Sequence, residues 1–219
     1  MAALPVLAAL EARVLGVLVE KQHTVPDSYP LTLNALLSGA NQKTSRDPVM
    51  HASEAQVQEA LDRLRSLDLV MESSGGRTMR YAQNLGKAIG VPPQSVALLA
   101  ALLLRGAQTA GELRINTERL HRFGDILAVE AFLGELAERA LVRELPRAAG
   151  SREARWMHLL SGEPVIAPEA AGAEHERHEA GSSGEIERIR DELEALRSEV
   201  AALKAAVARL ANPGTGNEG

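Results

Sequence analysis

One pattern occurs twice in this chain and limits its fold more than any other feature. An amphipathic helix runs, within a few residues, into a β-prone stretch. Residues 57–70 lie on residues 129–142 without a gap, so that Val57, Leu61, Leu64, Leu69 and Val70 fall on Val129, Leu133, Leu136, Leu141 and Val142. The first three of each set follow i, i+4, i+7, one face of a helix. The last two open a strand.

What flanks the repeats also matches. Apolar helices are expected over 10–19 and 96–104, each followed by a short second helix, 31–37 and 110–115. Ser53-Glu-Ala-Gln56 and Thr109-Ala-Gly-Glu112 have the spacing of capping boxes, in which a hydroxyl accepts from a free amide and the third residue reaches back. After each third helix comes a hairpin, 69–72 with 79–83 and 141–145 with 155–159. Glycines in the intervening tips supply the positive φ that tight hairpins need. Helix, helix, helix, hairpin is the order of a winged helix-turn-helix. The expected fold is mainly α with small β-hairpins (α+β), two winged-helix domains in tandem; the rival is a plain three-helix bundle, which lacks the hairpins. The expected boundaries are 1–85 and 86–162 for the two domains, 163–183 for an acidic linker, 184–211 for a coiled-coil helix and 212–219 for a tail.

Composition supports helix packing. Aromatics are 2% of the chain, namely Tyr29, Tyr81, Phe123, Phe132 and Trp156, so Leu, Val, Ile and Ala must fill the core. There is no cysteine, which removes disulfides, thiolate metal sites and thiol catalysis. The first residues lack a basic lead-in, and Glu11 and Arg13 interrupt their apolar run, a poor signal peptide. The longest apolar run, 96–104, is far below the ~20 residues a bilayer needs. The expectation is a soluble cytoplasmic protein.

From residue 186 the apolar positions are Ile186, Ile189, Leu193, Leu196, Val200, Leu203, Val207 and Leu210, alternating in steps of three and four. β-branched residues favoured at a, with leucine at d, lean toward a parallel two-stranded coil. In that arrangement Glu192 meets Arg197 of the other copy and Glu199 meets Lys204. Each exposed pair contributes only about 0.2–1 kcal/mol, so these pairs select orientation more than they hold a dimer. The alternative is a single helix folded back on the core. The linker, as a flexible chain, reaches about 25 Å.

The net charge of −5 is unevenly spread, with the acidity in the linker and tail and residues 1–160 near neutral. Winged helices usually place the third helix in the major groove and the wing on the backbone. Here the third helix of the second repeat carries Asp125, Glu130, Glu135 and Glu138, which repel phosphate, while in the first Glu54, Glu59 and Asp62 balance Arg63 and Arg65 and leave it neutral at best. Candidate phosphate contacts are therefore the loop and wing cations Lys43, Arg46, Arg77, Arg80, Arg143, Arg147, Arg152 and Arg155; such residues grip a backbone without reading bases. The loop 41–49, polar and ending in Asp47-Pro48, is long for a helix connection. It either binds a partner or phosphate, or holds the two units together through hydrogen bonds. His175 and His178 lack a third ligand, no phosphate loop or dinucleotide turn is present, and neither an enzyme nor a cofactor is expected.

Several of these strings resemble the YceH family of bacterial proteins: Leu10-Glu-Ala-Arg-Val14, Tyr29-Pro-Leu-Thr-Leu-Asn34, Asn41-Gln-Lys-Thr-Ser-Arg-Asp-Pro-Val49, Leu103-Leu-Arg-Gly-Ala-Gln-Thr-Ala-Gly-Glu-Leu113 and Ser151-Arg-Glu-Ala-Arg-Trp-Met-His-Leu. The resemblance spans roughly residues 8–163. It implies a tandem winged-helix fold and no established activity. The hairpin arginines make a dimeric DNA-associated regulator touching the backbone the expected function; the alternative is a protein-interaction module using acidic winged-helix surfaces and the coiled coil.

Overall fold

A computed structural model describes residues 6–74, 78–147 and 153–163. The first repeat contains α1 (Ala9–Thr24), a 3-10 turn (Pro26–Ser28), α2 (Leu33–Ala40), α3 (Glu54–Ser66), β1 (Val70–Ser74) and β2 (Met79–Gln83). A short helix α4 (Leu85–Ile89) leads into α5 (Pro93–Arg105), α6 (Ala110–Asn116), α7 (Ile126–Glu138), β3 (Val142–Glu144) and β4 (Trp156–His158). The described chain is thus mainly helical with two antiparallel strand pairs, β1–β2 and β3–β4. The helix-to-hairpin order recurs in both halves. Linker residues 164–183, the heptads of 186–210, Arg77, Arg152, His175 and His178 lie outside the described residues.

The repeats agree in local detail because the same local chemistry starts and stops their elements. Ser53 accepts from the Gln56 amide while Gln56 returns a bond to the Ser53 amide. Thr109 and Glu112 do the same at α6. Both capping boxes stand where the spacing placed them. Thr32 caps α2 through the Ala35 amide. The third helices end alike too: Asp68 and Ala140, equivalent positions, take left-handed φ of 57° and 54°. The next residues send their amides back five positions, Leu69 to Leu64 O at 3.0 Å and Leu141 to Leu136 O at 2.9 Å, the bond pattern of a Schellman stop. That reversal turns each helix directly into its strand.

Two features differ from the expected boundaries. Leu31 is not the start of α2 but bridges to Tyr81, and Gln108 bridges to Trp156 in the same way before α6. Each bridge exchanges both backbone bonds, at 2.7–3.0 Å, and adds a third extended piece beside the hairpin. The α4 helix is not among the expected elements; it buries Leu85 and Ile89 in the apolar core.

The core explains why α1 and α5 read as apolar runs. Residues 12–19 of α1 and 95–104 of α5 are buried without interruption, which is how a helix packed on all sides reads. Alpha-1 lies against α2, α3, β2 and α5. Gly16 permits the α1–α5 approach, since a Cβ there would stand 2.9 Å from Leu104 Cγ. Gly39 does so for α2 on α1, where a Cβ would meet Val17 Cγ1 at 2.6 Å. One apolar cluster runs from Leu7 through both repeats to Leu160, and the described residues form one compact unit. The repeats therefore share a core through their first helices while keeping separate sheets.

Candidate functional site

The loop after α2 is built around Arg46. Its side chain is buried, and its Nε and both Nη groups all donate: to Gly39 O at 3.1 Å, Ser45 O at 2.9 Å, Gln42 Oε1 at 2.6 Å and the two oxygens of Glu20 at 3.1 and 2.7 Å. A guanidinium suits this task because its planar fork matches a carboxylate at two points. Burial works against the Glu20 carboxylate, yet the bonds and charge of Arg46 hold its pKa below the ordinary carboxyl value. Asn41 closes the loop base, accepting from the Ala52 amide at 2.8 Å and donating to Ala52 O at 2.9 Å. Arg13 of α1, buried to 1% exposure, donates to Ala40 O at 3.3 Å and Pro48 O at 2.7 Å. Burial, then the charge of Arg46, lower its pKa, with Asp47 opposing.

The same loop reaches the second repeat. The Asp47 amide donates to Leu104 O at 2.9 Å, and Arg105 donates to Ser45 Oγ at 2.7 Å. Of the two roles open for 41–49, the geometry carries the joining one. Arg139, just past α7, donates to the carbonyls of Ile89 and Gly90 at the end of α4, a tie within the second half. Sequence reasoning missed Arg13, Glu20 and Arg105 as members of this network.

The expected phosphate contacts do not converge on one surface. Arg46 is enclosed as described. Arg80 donates to Ser28 O and Pro30 O. Its equivalent, Arg155, grips both oxygens of Glu112 at 3.0 and 2.9 Å. Arg80 ties its hairpin to the segment before α2, and Arg155 ties its own to the first turn of α6. Arg143 pairs with Glu163. Lys43 and Arg147 remain exposed.

A different surface emerges at α7. Asp125 caps it by accepting from the Ala128 amide at 2.8 Å. Phe123 is buried edge-on against Phe132 and His121 and pins the preceding turn. Arg114 donates to Gly124 O, bringing the end of α6 beside the start of α7. There Ile115 is 71% exposed, Leu127 72% and Ile126 44%. Glu130, Glu135 and Glu138 are exposed on the same helix. Among the described residues no group of three or more His, Asp or Glu is placed to hold a metal, and no helix is long and apolar enough to cross a membrane.

The fold and its arginine-centred loop define a duplicated, mainly helical protein with two antiparallel strand pairs. The chain belongs to the DUF480 family: residues 7–151 match the family described as a protein of unknown function. It is 60% identical over 193 residues to a UPF0502 protein of Cupriavidus taiwanensis, covering 87% of this chain and 79% of that one. Similarity to a UPF0502 protein of Dechloromonas aromatica is 63% over 171 residues, 77% of this chain and 80% of the relative. A UPF0502 protein of Burkholderia ambifaria is 62% identical over 167 residues, 75% of this chain and 71% of the relative. The expectation holds as far as a bacterial family of unknown function.

Proposed function

We propose that the chain is a non-enzymatic tandem winged-helix protein that works by docking on another protein. Support for the winged-helix reading comes from the bridges Leu31–Tyr81 and Gln108–Trp156, which give each repeat three helices and a small three-part sheet. Fold alone is a weak warrant for function. The observation that carries the docking reading is the outer face of α7, apolar and acidic where a groove-reading helix would be polar and cationic.

The test is a mobility shift of the full chain with mixed genomic DNA across a salt series. No retardation is expected even at low salt. A DNA regulator would instead retard DNA with log K falling about 0.9 per neutralised phosphate as log salt rises. Retardation that Arg147→Glu with Arg155→Glu abolishes would replace the docking reading by the DNA one.

The heptads of 186–210 support a second element of the proposal, pairing of two copies through a parallel coil. Leu196→Asp with Leu203→Asp places charge in that seam. Light scattering should then show the mass fall from dimer to monomer. An unchanged mass removes the tail from the dimer contact.

A further inference from the structure

The two third helices occupy equivalent places, so their outward residues can be compared one for one. Glu54, Ala55, Glu59 and Asp62 of α3 correspond to Ile126, Leu127, Ala131 and Gly134 of α7. In the first repeat this face carries charge, as a solvated helix face does. In the second, the same positions are apolar or bare. Leu127, Ala131 and Gly134 follow i, i+4, i+7, one line on the side of α7 opposite its buried Val129, Leu133 and Leu136.

Gly134 has no reason to be glycine inside this body. A Cβ there would meet nothing within 4 Å, it is absent from the positive-φ residues, and glycine in mid-helix weakens the helix. Bare backbone on an open face is what a second helix needs in order to approach closely. Leu127, at 72% exposure, supplies an apolar anchor at one end of the line.

The charges choose the occupant. Glu130 and Glu135 border the line on its two sides, and Glu138 lies at its far end, all exposed. The nearest base at that end, Arg139, is turned to the carbonyls after α4. Two α7 faces from two copies would set acid against acid, and a nucleic acid would meet the same repulsion. We propose that the outer face of α7 seats an amphipathic helix of a partner protein, with an apolar edge on Leu127, Ala131 and Gly134 and Lys or Arg on both flanks. This rests on the docking reading and names the chemistry of the partner. Anchors spaced i, i+3, i+4, i+7 are the usual register of a helix laid along such a face.

The test uses the full chain and two labelled peptides of about 18 residues, five turns. One carries leucine at that spacing with Lys and Arg on its flanks; its twin has Glu in place of every Lys and Arg. Fluorescence anisotropy should show the basic peptide binding at least about tenfold more tightly than the twin. Gly134→Glu, which points into open space, should cost about tenfold or more while leaving the melting curve near the parent's. Glu130→Lys, Glu135→Lys and Glu138→Lys together should reverse the preference. Equal binding by the Gly134→Glu chain, or a preference unmoved by charge reversal, overturns the proposal. So does a change in solution mass with Gly134→Glu, which would make a second copy the occupant. Peptide failure with DNA still unshifted defeats this partner chemistry alone; DNA retardation lost on α7 substitution defeats the docking reading as well.

Discussion

A chain carrying Arg46→Met should be less stable by about 3–5 kcal/mol, the usual cost of stripping one member from a buried ion pair. For a unit of this size that is a fall of about 6–20 °C in melting midpoint. Methionine keeps most of the volume, so the loss comes from charge and hydrogen bonds. Glu20 would keep its carboxylate in a half-enclosed site with no guanidinium, and Gln42 Oε1 and Gly39 O would lose their donor. The loop would also loosen where Asp47 meets Leu104, so limited proteolysis should cut between 41 and 53 sooner than in the parent. Adding Glu20→Gln should recover part of the loss, because the half-enclosed carboxylate, then left with Lys21 alone at 3.2 Å, disappears; the two changes share partners and do not add. Urea unfolding of the parent, both single variants and the double variant measures the coupling. A loss under about 1 kcal/mol for Arg46→Met would mean the ion pair is no more than a surface pair.

That network also marks where sequence reasoning stops. The helices, hairpins and both capping boxes were legible because their causes are local: Ser53 and Gln56, or Thr109 and Glu112, are three residues apart. The Schellman stops were not, since Asp68 and Ala140 carry no glycine signal at their left-handed φ. Arg46 looked like a loop cation because its carboxylate partner sits 26 residues earlier in α1. Arg80 and Arg155 precede Tyr81 and Trp156 in matching places, yet their acceptors, two carbonyls and Glu112, are known only once the sheets form. Arg13 read as a break in an apolar run, whereas it is one of the most buried side chains. The α7 face hid for the opposite reason. A reading that assigns apolar residues to the core has no place for Leu127 outside it.

Acidification gives the second large effect. Lowering the pH from 7 to 4 should remove about 3 kcal/mol of stability through His158. His158 ends β4, paired across from Val142, is 7% exposed, and has no partner for Nδ1 among the described residues. Burial pushes its pKa from 6.5 down to about 4. At pH 7 the imidazole is neutral in the folded chain and mostly neutral in the unfolded one, so pH has little leverage through it there. Between 6.5 and about 4 only the unfolded chain takes up the proton, so each pH unit there favours unfolding by up to about 1.4 kcal/mol. Glu20, whose pKa is lowered on folding, acts in a separate window: its contribution is present above the ordinary carboxyl value of 4.5 and is lost only as pH falls below it. His158→Leu keeps an apolar filling at the end of β4 and abolishes the titration. Urea midpoints at several pH values between 4.5 and 7 should therefore fall for the parent and stay nearly level for the variant, whereas parallel slopes would show that the proton taken up in this range belongs to another group.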